Sequence, residues 1–157
     1  MALPSTVING THYDASSYEI RVDSTPFSPY VKSLTYNDKL TPVFGYGQSS
    51  QPLLRTRGVY DPGSVSFELY KFAGNTFEKY LTSLAGGHGF GEVVFSIYVT
   101  ITEPGFDTIF DQLLSCRVTG SGNEMPATGG SEHATVKYDI MPGLILHNGV
   151  AMMKNPR

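Results

Sequence analysis

Apolar and polar residues alternate along several segments of this chain, and that alternation limits the folds it can adopt. The clearest case spans residues 92–102, in which every second residue is apolar: Val93, Phe95, Ile97, Val99 and Ile101. Successive side chains of an extended strand point to opposite faces, so this spacing predicts a strand with one buried and one solvent-facing side. Similar spacing predicts further strands at residues 18–22, 30–36, 64–72, 114–118, 132–141 and 143–147, the last followed by the turn pair Asn148-Gly149.

One segment has helical periodicity instead. Between residues 75 and 84 the apolar residues recur at helical spacing: Phe77, Tyr80, Leu81 and Leu84. We predict an amphipathic helix that Asn75 caps, with Glu78 completing a capping box and Gly86-Gly87 ending it. Seven or so strands and one helix predict a mainly β protein of the α+β type, an antiparallel β-sandwich or barrel with a short amphipathic helix packed on it.

The segment 38–62 is too long for an ordinary connection in a compact domain. It is rich in Pro and Gly but also contains large apolar residues, and long connections of this kind are usually functional. We predict a long projecting hairpin loop that needs a partner to cover it. Its contact residues would be Leu40, Val43, Phe44, Tyr46, Leu53, Leu54, Arg55 and Arg57. A second irregular stretch, residues 120–131, is rich in Gly, Ser and Thr and is predicted to be a mobile surface loop.

Composition favours association between copies. The 157 residues suit a single domain, 1–157, yet only 16% of them are charged, against about 25% in typical soluble proteins. A surface with few charges and many tyrosines associates readily. The net charge of -3 disfavours tight binding to phosphates, which requires clustered Lys and Arg. The N-terminal residues lack the basic and apolar regions of a signal peptide, so we expect assembly in the cytoplasm.

The sequence offers little catalytic chemistry, and we expect no catalytic, cofactor-binding or metal site. The four histidines are scattered, and the one cysteine, Cys116, falls on a predicted apolar strand face beside Leu114 and Val118, where a thiol is inert. Asp107 and Asp111 lie four residues apart, but two carboxylates beside a short turn are more often solvated than catalytic. An enzyme is therefore the least favoured reading.

The order of these features resembles that of myophage tail tube proteins over roughly residues 15–149. The resemblance rests on VKSLTY at 31–36, RTRGVY at 55–60 after the long loop, the strand at 64–72, the short helix and EVVF at 92–95. LLSCRV at 113–118 and VKYDIMP at 136–142 resemble the family's strand before a variable loop and its closing strand. The family is related to the tube protein of type VI secretion systems, which likewise forms stacked hexameric rings.

The resemblance implies a subunit that forms hexameric rings, which stack into a hollow tube inside a contractile sheath. Residues 38–62 would be the inter-subunit loop that reaches between stacked rings, and residues 1–14 and 150–157 would be extended termini. The partners would be the tail sheath protein and the baseplate and tail terminator proteins, with the tape measure protein and genomic DNA passing through the lumen without specific binding. The lumen would be lined by a polar strand face: Ser66, Glu68, Ser96 and Thr100.

Three other functions remain open at this stage. A type VI secretion-like tube or a baseplate tube-initiator would use the same fold. A monomeric ligand-binding β-sandwich would use exposed tyrosines as a platform and the segment 38–62 as a binding loop. The resemblance favours the phage tail tube, a virion component assembled in the cytoplasm of a host bacterium.

Overall fold

The computed structural model describes residues 18–27, 30–48, 50–102, 107–129 and 133–153. The N-terminal half of the described chain contains β1 (Tyr18–Val22), β2 (Thr25–Pro26), β3 (Val31–Thr35), β4 (Lys39–Thr41), β5 (Phe44–Gly45), β6 (Leu54–Arg55), β7 (Val59–Asp61), β8 (Val65–Tyr70) and the helix α1 (Lys71–Leu84). A 3-10 turn (Phe90–Glu92) then leads to β9 (Phe95–Ile101), β10 (Ile109–Glu124), β11 (Thr135–Met141), β12 (Leu144–His147) and β13 (Val150–Ala151). Of the predicted extended termini, 1–14 and 150–157, residues 1–14 and 154–157 lie outside the described residues, and Val150–Ala151 forms β13.

Nine of these strands form one antiparallel sheet in the order β2-β1-β9-β10-β11-β8-β3; β12 pairs with β10, and β13 pairs with β12. The 16-residue strand β10 belongs to both halves of the sheet, because its first part pairs with β9 and β12 and its second part pairs with β11. Among the described residues the end strands β2 and β3 do not pair with each other. The predicted mainly β antiparallel fold is therefore confirmed in its sandwich-like form, and the alternative of a closed barrel is wrong.

Strand β10 changes face halfway along its length. Leu113 and Cys116 are both fully buried although they are three residues apart, because the register shifts between them and Ser115 has a φ of 56°. The connection between β11 and β12 lies beside this point, where the Gly143 N–H donates to the Leu114 carbonyl at 2.9 Å. Leu114 is only half-buried, so its predicted place on the apolar face beside Cys116 is wrong. A bulge of this kind is invisible to a strict period of two.

The core forms where the alternating faces of β8, β9 and β11 meet the helix. Phe77 of α1 lies at its centre and is fully buried. Its ring makes edge-to-face contacts with four other rings at centroid distances of 5.0 to 6.0 Å: Phe27, Phe67, Phe95 and Tyr138. The predicted inward faces of these strands and of Phe77 and Leu81 in the helix are thus confirmed. Leu84, predicted on the same face of the helix, is 52% exposed, so the prediction is wrong for that residue.

The helix starts earlier than its sequence signals suggest. α1 begins at Lys71, directly after β8, so the predicted start and cap at Asn75 are wrong. The Lys71 N–H donates to the Ala134 carbonyl at 2.9 Å, and Gly74 is buried so tightly that a Cβ on it would lie 2.2 Å from Val136 Cγ1. The first turn is therefore held by packing on β11 and not by a side-chain cap.

Two other predicted boundaries were tested by the structure. The helix does end before the glycine pair, with Gly86 and Gly87 at positive φ values of 60° and 96°, as predicted. Residues 120–124 were predicted to begin a mobile loop, but they extend β10 and pair with β11, so that prediction is wrong for them. Pairing with β11 supplies backbone hydrogen-bond partners that composition alone does not reveal.

Candidate assembly surface

The segment between β3 and β8 forms a hairpin within a hairpin. β4 pairs with β7, and farther out β5 pairs with β6. We call residues 38–62 the nested hairpin. Neither pair of strands joins the nine-stranded sheet. The predicted long projecting hairpin is therefore confirmed.

The two levels of the nested hairpin are continuous through one pair of residues. The Thr56 N–H donates to the Val43 carbonyl at 2.8 Å, and the Val43 N–H donates to the Thr56 hydroxyl at 2.9 Å. Gly58 allows the bend beside them, because its φ is 102° and a Cβ there would lie 3.0 Å from the Thr41 carbonyl oxygen. These contacts extend the hairpin away from the sheet as one unit.

Large apolar side chains of the nested hairpin face solvent. The described residues include sixteen exposed large apolar side chains, and six belong to the nested hairpin: Val43, Phe44, Tyr46, Leu53, Leu54 and Val59. Five of these six were predicted as contact residues. Leu40, also predicted, is half-buried, whereas Val59 was not predicted and is 71% exposed. Large exposed apolar patches are a feature of protein interaction sites, so the nested hairpin is a candidate assembly surface.

The charge on the distal part of the nested hairpin is entirely positive. Residues 42–57 contain Arg55 and Arg57 and no Asp or Glu. Both arginine side chains are exposed. The distal part of the nested hairpin thus presents apolar side chains together with two cations.

The four predicted lumen residues lie on outward faces of the sheet but on two separate strands. Ser66 and Glu68 alternate with buried residues of β8, and Ser96 and Thr100 do so in β9. β10 and β11 lie between these two strands. Glu68 accepts a hydrogen bond from the Ser33 hydroxyl at 3.4 Å and lies 3.5 Å from the ammonium of Lys32.

Among the described residues, no group of three His, Cys, Asp or Glu could hold a metal ion. Cys116 is fully buried, its thiol donates to the Leu113 carbonyl, and burial raises the pKa of the thiol to about 12. No helix in the same part of the chain is long and apolar enough to cross a membrane.

The buried Cys116 thiol should not react with a disulfide reagent while the protein is folded near neutral pH. The raised pKa leaves almost no thiolate, and the side chain has no access to solvent. One equivalent of thiol should react after denaturation. The variant Ser50→Cys, at an exposed position, should react at once and serves as the control. Full modification of the folded parent protein would contradict this assignment.

Asp111 has a structural role that its sequence context hides. It lies in β10 and is 9% exposed, so the prediction of a solvated carboxylate beside a turn is wrong. Its carboxylate accepts hydrogen bonds from the Tyr36 hydroxyl and from the Asn148 N–H. Burial, followed by the hydrogen bond to Asp111, raises the pKa of Tyr36. Through its hydrogen bonds to Tyr36 and Asn148, Asp111 connects the residues before the nested hairpin to the turn after β12.

No protein-family model matches the sequence, and no curated protein matches it significantly. Solved structures do resemble the fold. One is the sheath/tube terminator of an extracellular contractile injection system, PVC, in its extended state, with a TM-score of 0.68, 10% identity and coverage of 87% of this chain and 96% of that chain. A second is the tube-terminating cap of the anti-feeding prophage, with a TM-score of 0.67, 10% identity and coverage of 94% and 98%.

A third similar structure is a type six secretion system protein, with a TM-score of 0.53, 15% identity and coverage of 92% of both chains. All three similarities extend over most of both chains, although their sequence identities are low. The likeness to tail-tube-related proteins inferred from the sequence is thus confirmed as a likeness of fold. The chain has the fold that occurs in these components of contractile injection and type six secretion systems.

Proposed function

We propose that this chain is a structural subunit of the tail tube of a contractile phage, and that its activity is assembly and not catalysis. The observation that carries the proposal is the nested hairpin, which presents six exposed large apolar residues away from the sheet. The shared fold with a tube terminator, a tube cap and a type six secretion protein supports the same reading. These neighbours are components of assemblies, which also favours a non-enzymatic role.

In this proposal the nested hairpin is the contact between stacked hexameric rings. Burying a Leu or Phe side chain fully stabilises an interface by about 1.5–3 kcal/mol relative to leaving it in water. Each subunit would both donate its own nested hairpin and receive a neighbour's, so the same contact would repeat along the tube. Arg55 and Arg57 would then lie near carboxylates of the receiving subunit.

The proposed tube would carry DNA and a tape measure protein through its lumen and would be enclosed by a sheath. Ser66, Glu68, Ser96 and Thr100 are the proposed lumen residues. A net charge of -3 would let phosphates slide past without adhering. The tube would end at baseplate and terminator proteins, and the whole would form in the cytoplasm of a host bacterium before becoming part of the virion.

Negative-stain electron microscopy of the purified protein over a range of concentrations tests the proposal. Rings with a central channel are expected at low concentration and hollow tubes at high concentration. A dispersed monomer at every concentration would overturn the proposal and favour a monomeric ligand-binding sandwich.

A second candidate is a protein at the end of the tube, because two of the similar solved structures are a tube terminator and a tube-terminating cap. A terminator, cap or tube-initiator would form rings that do not lengthen into tubes at high concentration. A type VI secretion-like tube would form tubes without a phage sheath. Co-purification with a sheath protein separates that outcome from a phage tail tube.

Replacing Phe44 or Leu53 with Asp should block tube formation while the subunit stays folded. Both side chains are solvent-exposed in the subunit, so folding does not depend on them, but a contact between copies would bury the new carboxylate without a partner. Such burial costs about 3 kcal/mol or more, which raises the critical concentration at least about a hundredfold. Sedimentation measures that concentration. Phe44→Leu keeps an apolar side chain and should still assemble; tubes from both Asp variants at the parent's critical concentration would refute the contact.

A further inference from the structure

The base of the nested hairpin is joined to the body of the protein by a buried carboxylate. Asp38 precedes β4, and its side chain is only 3% exposed. Its Oδ1 lies 2.8 Å from Nε2 of His147, at the end of β12, and its Oδ2 accepts a hydrogen bond from the Tyr60 hydroxyl at 2.9 Å. An ionised carboxylate accepts hydrogen bonds but has no hydrogen to donate. With Asp38 ionised, the hydrogen in this contact is therefore on the His147 Nε2.

The Tyr60 hydroxyl extends the connection to the backbone of the body. It donates to Asp38 and also accepts a hydrogen bond from the N–H of Ile145 in β12 at 3.1 Å. Tyr60 belongs to β7, the last strand of the nested hairpin, whereas Asp38 stands at the entry to its first strand. Both sides of the base are therefore tied to the same strand of the sheet.

These contacts matter because no strand pairing holds the nested hairpin against the sheet. β4 and β7 pair only with each other among the described strands. Without further contacts, only two single-chain segments would connect the hairpin to the sheet. The hairpin could then rotate about its base through the backbone torsions of these segments. β12 is itself fixed by pairing with β10 over residues 144–146, so it offers a rigid anchor.

We propose that Asp38 is a positioning residue that locks the nested hairpin to β12 and fixes the direction in which its apolar side chains project. A buried carboxylate is stable only while its donors are present, so the lock holds as a unit of Asp38, Tyr60 and His147. Its effect on the monomer does not depend on the function of the chain. Its consequence for assembly rests on the proposed function, because a hairpin held in one direction loses less entropy on binding.

The lock is tested in the monomer, kept dispersed by the Leu53→Asp background. Spin labels at Ser50→Cys in the nested hairpin and Thr82→Cys on α1 occupy exposed positions, while Cys116 is buried. The distribution of distances between the labels should be narrow with the lock intact. It should broaden clearly in Asp38→Ala and His147→Ala. An unchanged narrow distribution in both variants would overturn the proposal.

Amide hydrogen exchange at Ile145 provides a second readout through a milder change. Tyr60→Phe removes the acceptor of the Ile145 N–H and one donor to Asp38, so exchange at Ile145 should quicken several-fold and the distance distribution should broaden. Tyr80→Phe is the matched control, since the Tyr80 hydroxyl donates at 2.6 Å to a different carboxylate, that of Asp23. It should change neither readout. If Tyr60→Phe behaves like Tyr80→Phe, the lock is refuted.

Assembly measurements separate this inference from the proposed function. In the parent background, Asp38→Ala should raise the critical concentration of tubes even though the apolar side chains of the nested hairpin are intact. Broad distances in the monomer of Asp38→Ala support the lock even where the parent protein forms no tubes, and in that case only the proposed function fails.

Discussion

The variant Phe77→Ala is expected to lose about 3–5 kcal/mol of its free energy of unfolding. Phe77 is fully buried and contacts four aromatic rings that come from separate parts of the chain: Phe27, Phe67, Phe95 and Tyr138. Alanine would remove these edge-to-face contacts and leave a cavity between the helix and both halves of the sheet. Because a domain of this size is stable by only about 5–15 kcal/mol, the loss is a large share of the total.

Denaturant unfolding followed by circular dichroism measures this loss. Phe77→Leu fills most of the space without a ring and should lose clearly less. Lys79→Ala, on the exposed face of the same helix, should change the free energy of unfolding by no more than about 0.5 kcal/mol. A Phe77→Ala protein as stable as Lys79→Ala would show that the helix does not pack as described.

Replacing Gly74 with Ala should destabilise the protein, although the same change stabilises most helices. In a helix interior, Ala is favoured over Gly by about 0.8–1.0 kcal/mol. At this position the new Cβ would lie 2.2 Å from Val136 Cγ1, which is well inside van der Waals contact. The helix would have to move off β11, and overpacking of this kind costs about 1–3 kcal/mol. The expected net result is a lower midpoint of thermal unfolding.

A double-mutant cycle shows whether the contact between helix and strand is the cause. Val136→Ala removes the methyl group that the Gly74→Ala side chain would meet. Gly74→Ala should therefore cost less in the Val136→Ala background than in the parent, with a coupling of about 1 kcal/mol or more. Additive effects, or a more stable Gly74→Ala protein, would contradict the close approach.

The parts of the fold that could be predicted are those in which a local pattern has one physical solution. The alternation of apolar and polar residues in β8, β9 and β11 predicted strands with one buried face. The spacing of Phe77 and Leu81 predicted a helix that faces the core. The bulge at Ser115 could not be predicted, because it depends on how β10 turns from one pair of neighbours to the next. The start of α1 at Lys71 was missed because packing on β11 replaced the side-chain cap that the sequence placed at Asn75.

Only part of the candidate assembly surface could likewise be predicted from the sequence. Its length, its glycines and prolines and its apolar residues predicted a projecting hairpin. Several large apolar side chains exposed together in one loop are unfavourable in water unless a partner covers them. Nothing in the sequence pairs Asp38 with His147, which lies 109 residues away, or Asp111 with Tyr36, 75 residues away. These polar contacts require segments that are far apart in the sequence to lie side by side in the fold.

The sequence by itself therefore determined which faces are buried, where most strands and the helix lie, and which segment leaves the body of the fold with its apolar side chains exposed. These properties follow from side-chain periodicity and turn residues, which act over a few neighbouring positions. Only the tertiary structure decided the order of the strands, the fact that the sheet stays open and does not close into a barrel, the start of the helix, and the burial of the Asp38 and Asp111 carboxylates. Each of these depends on contacts between residues far apart in the chain, whose free energies no local pattern encodes.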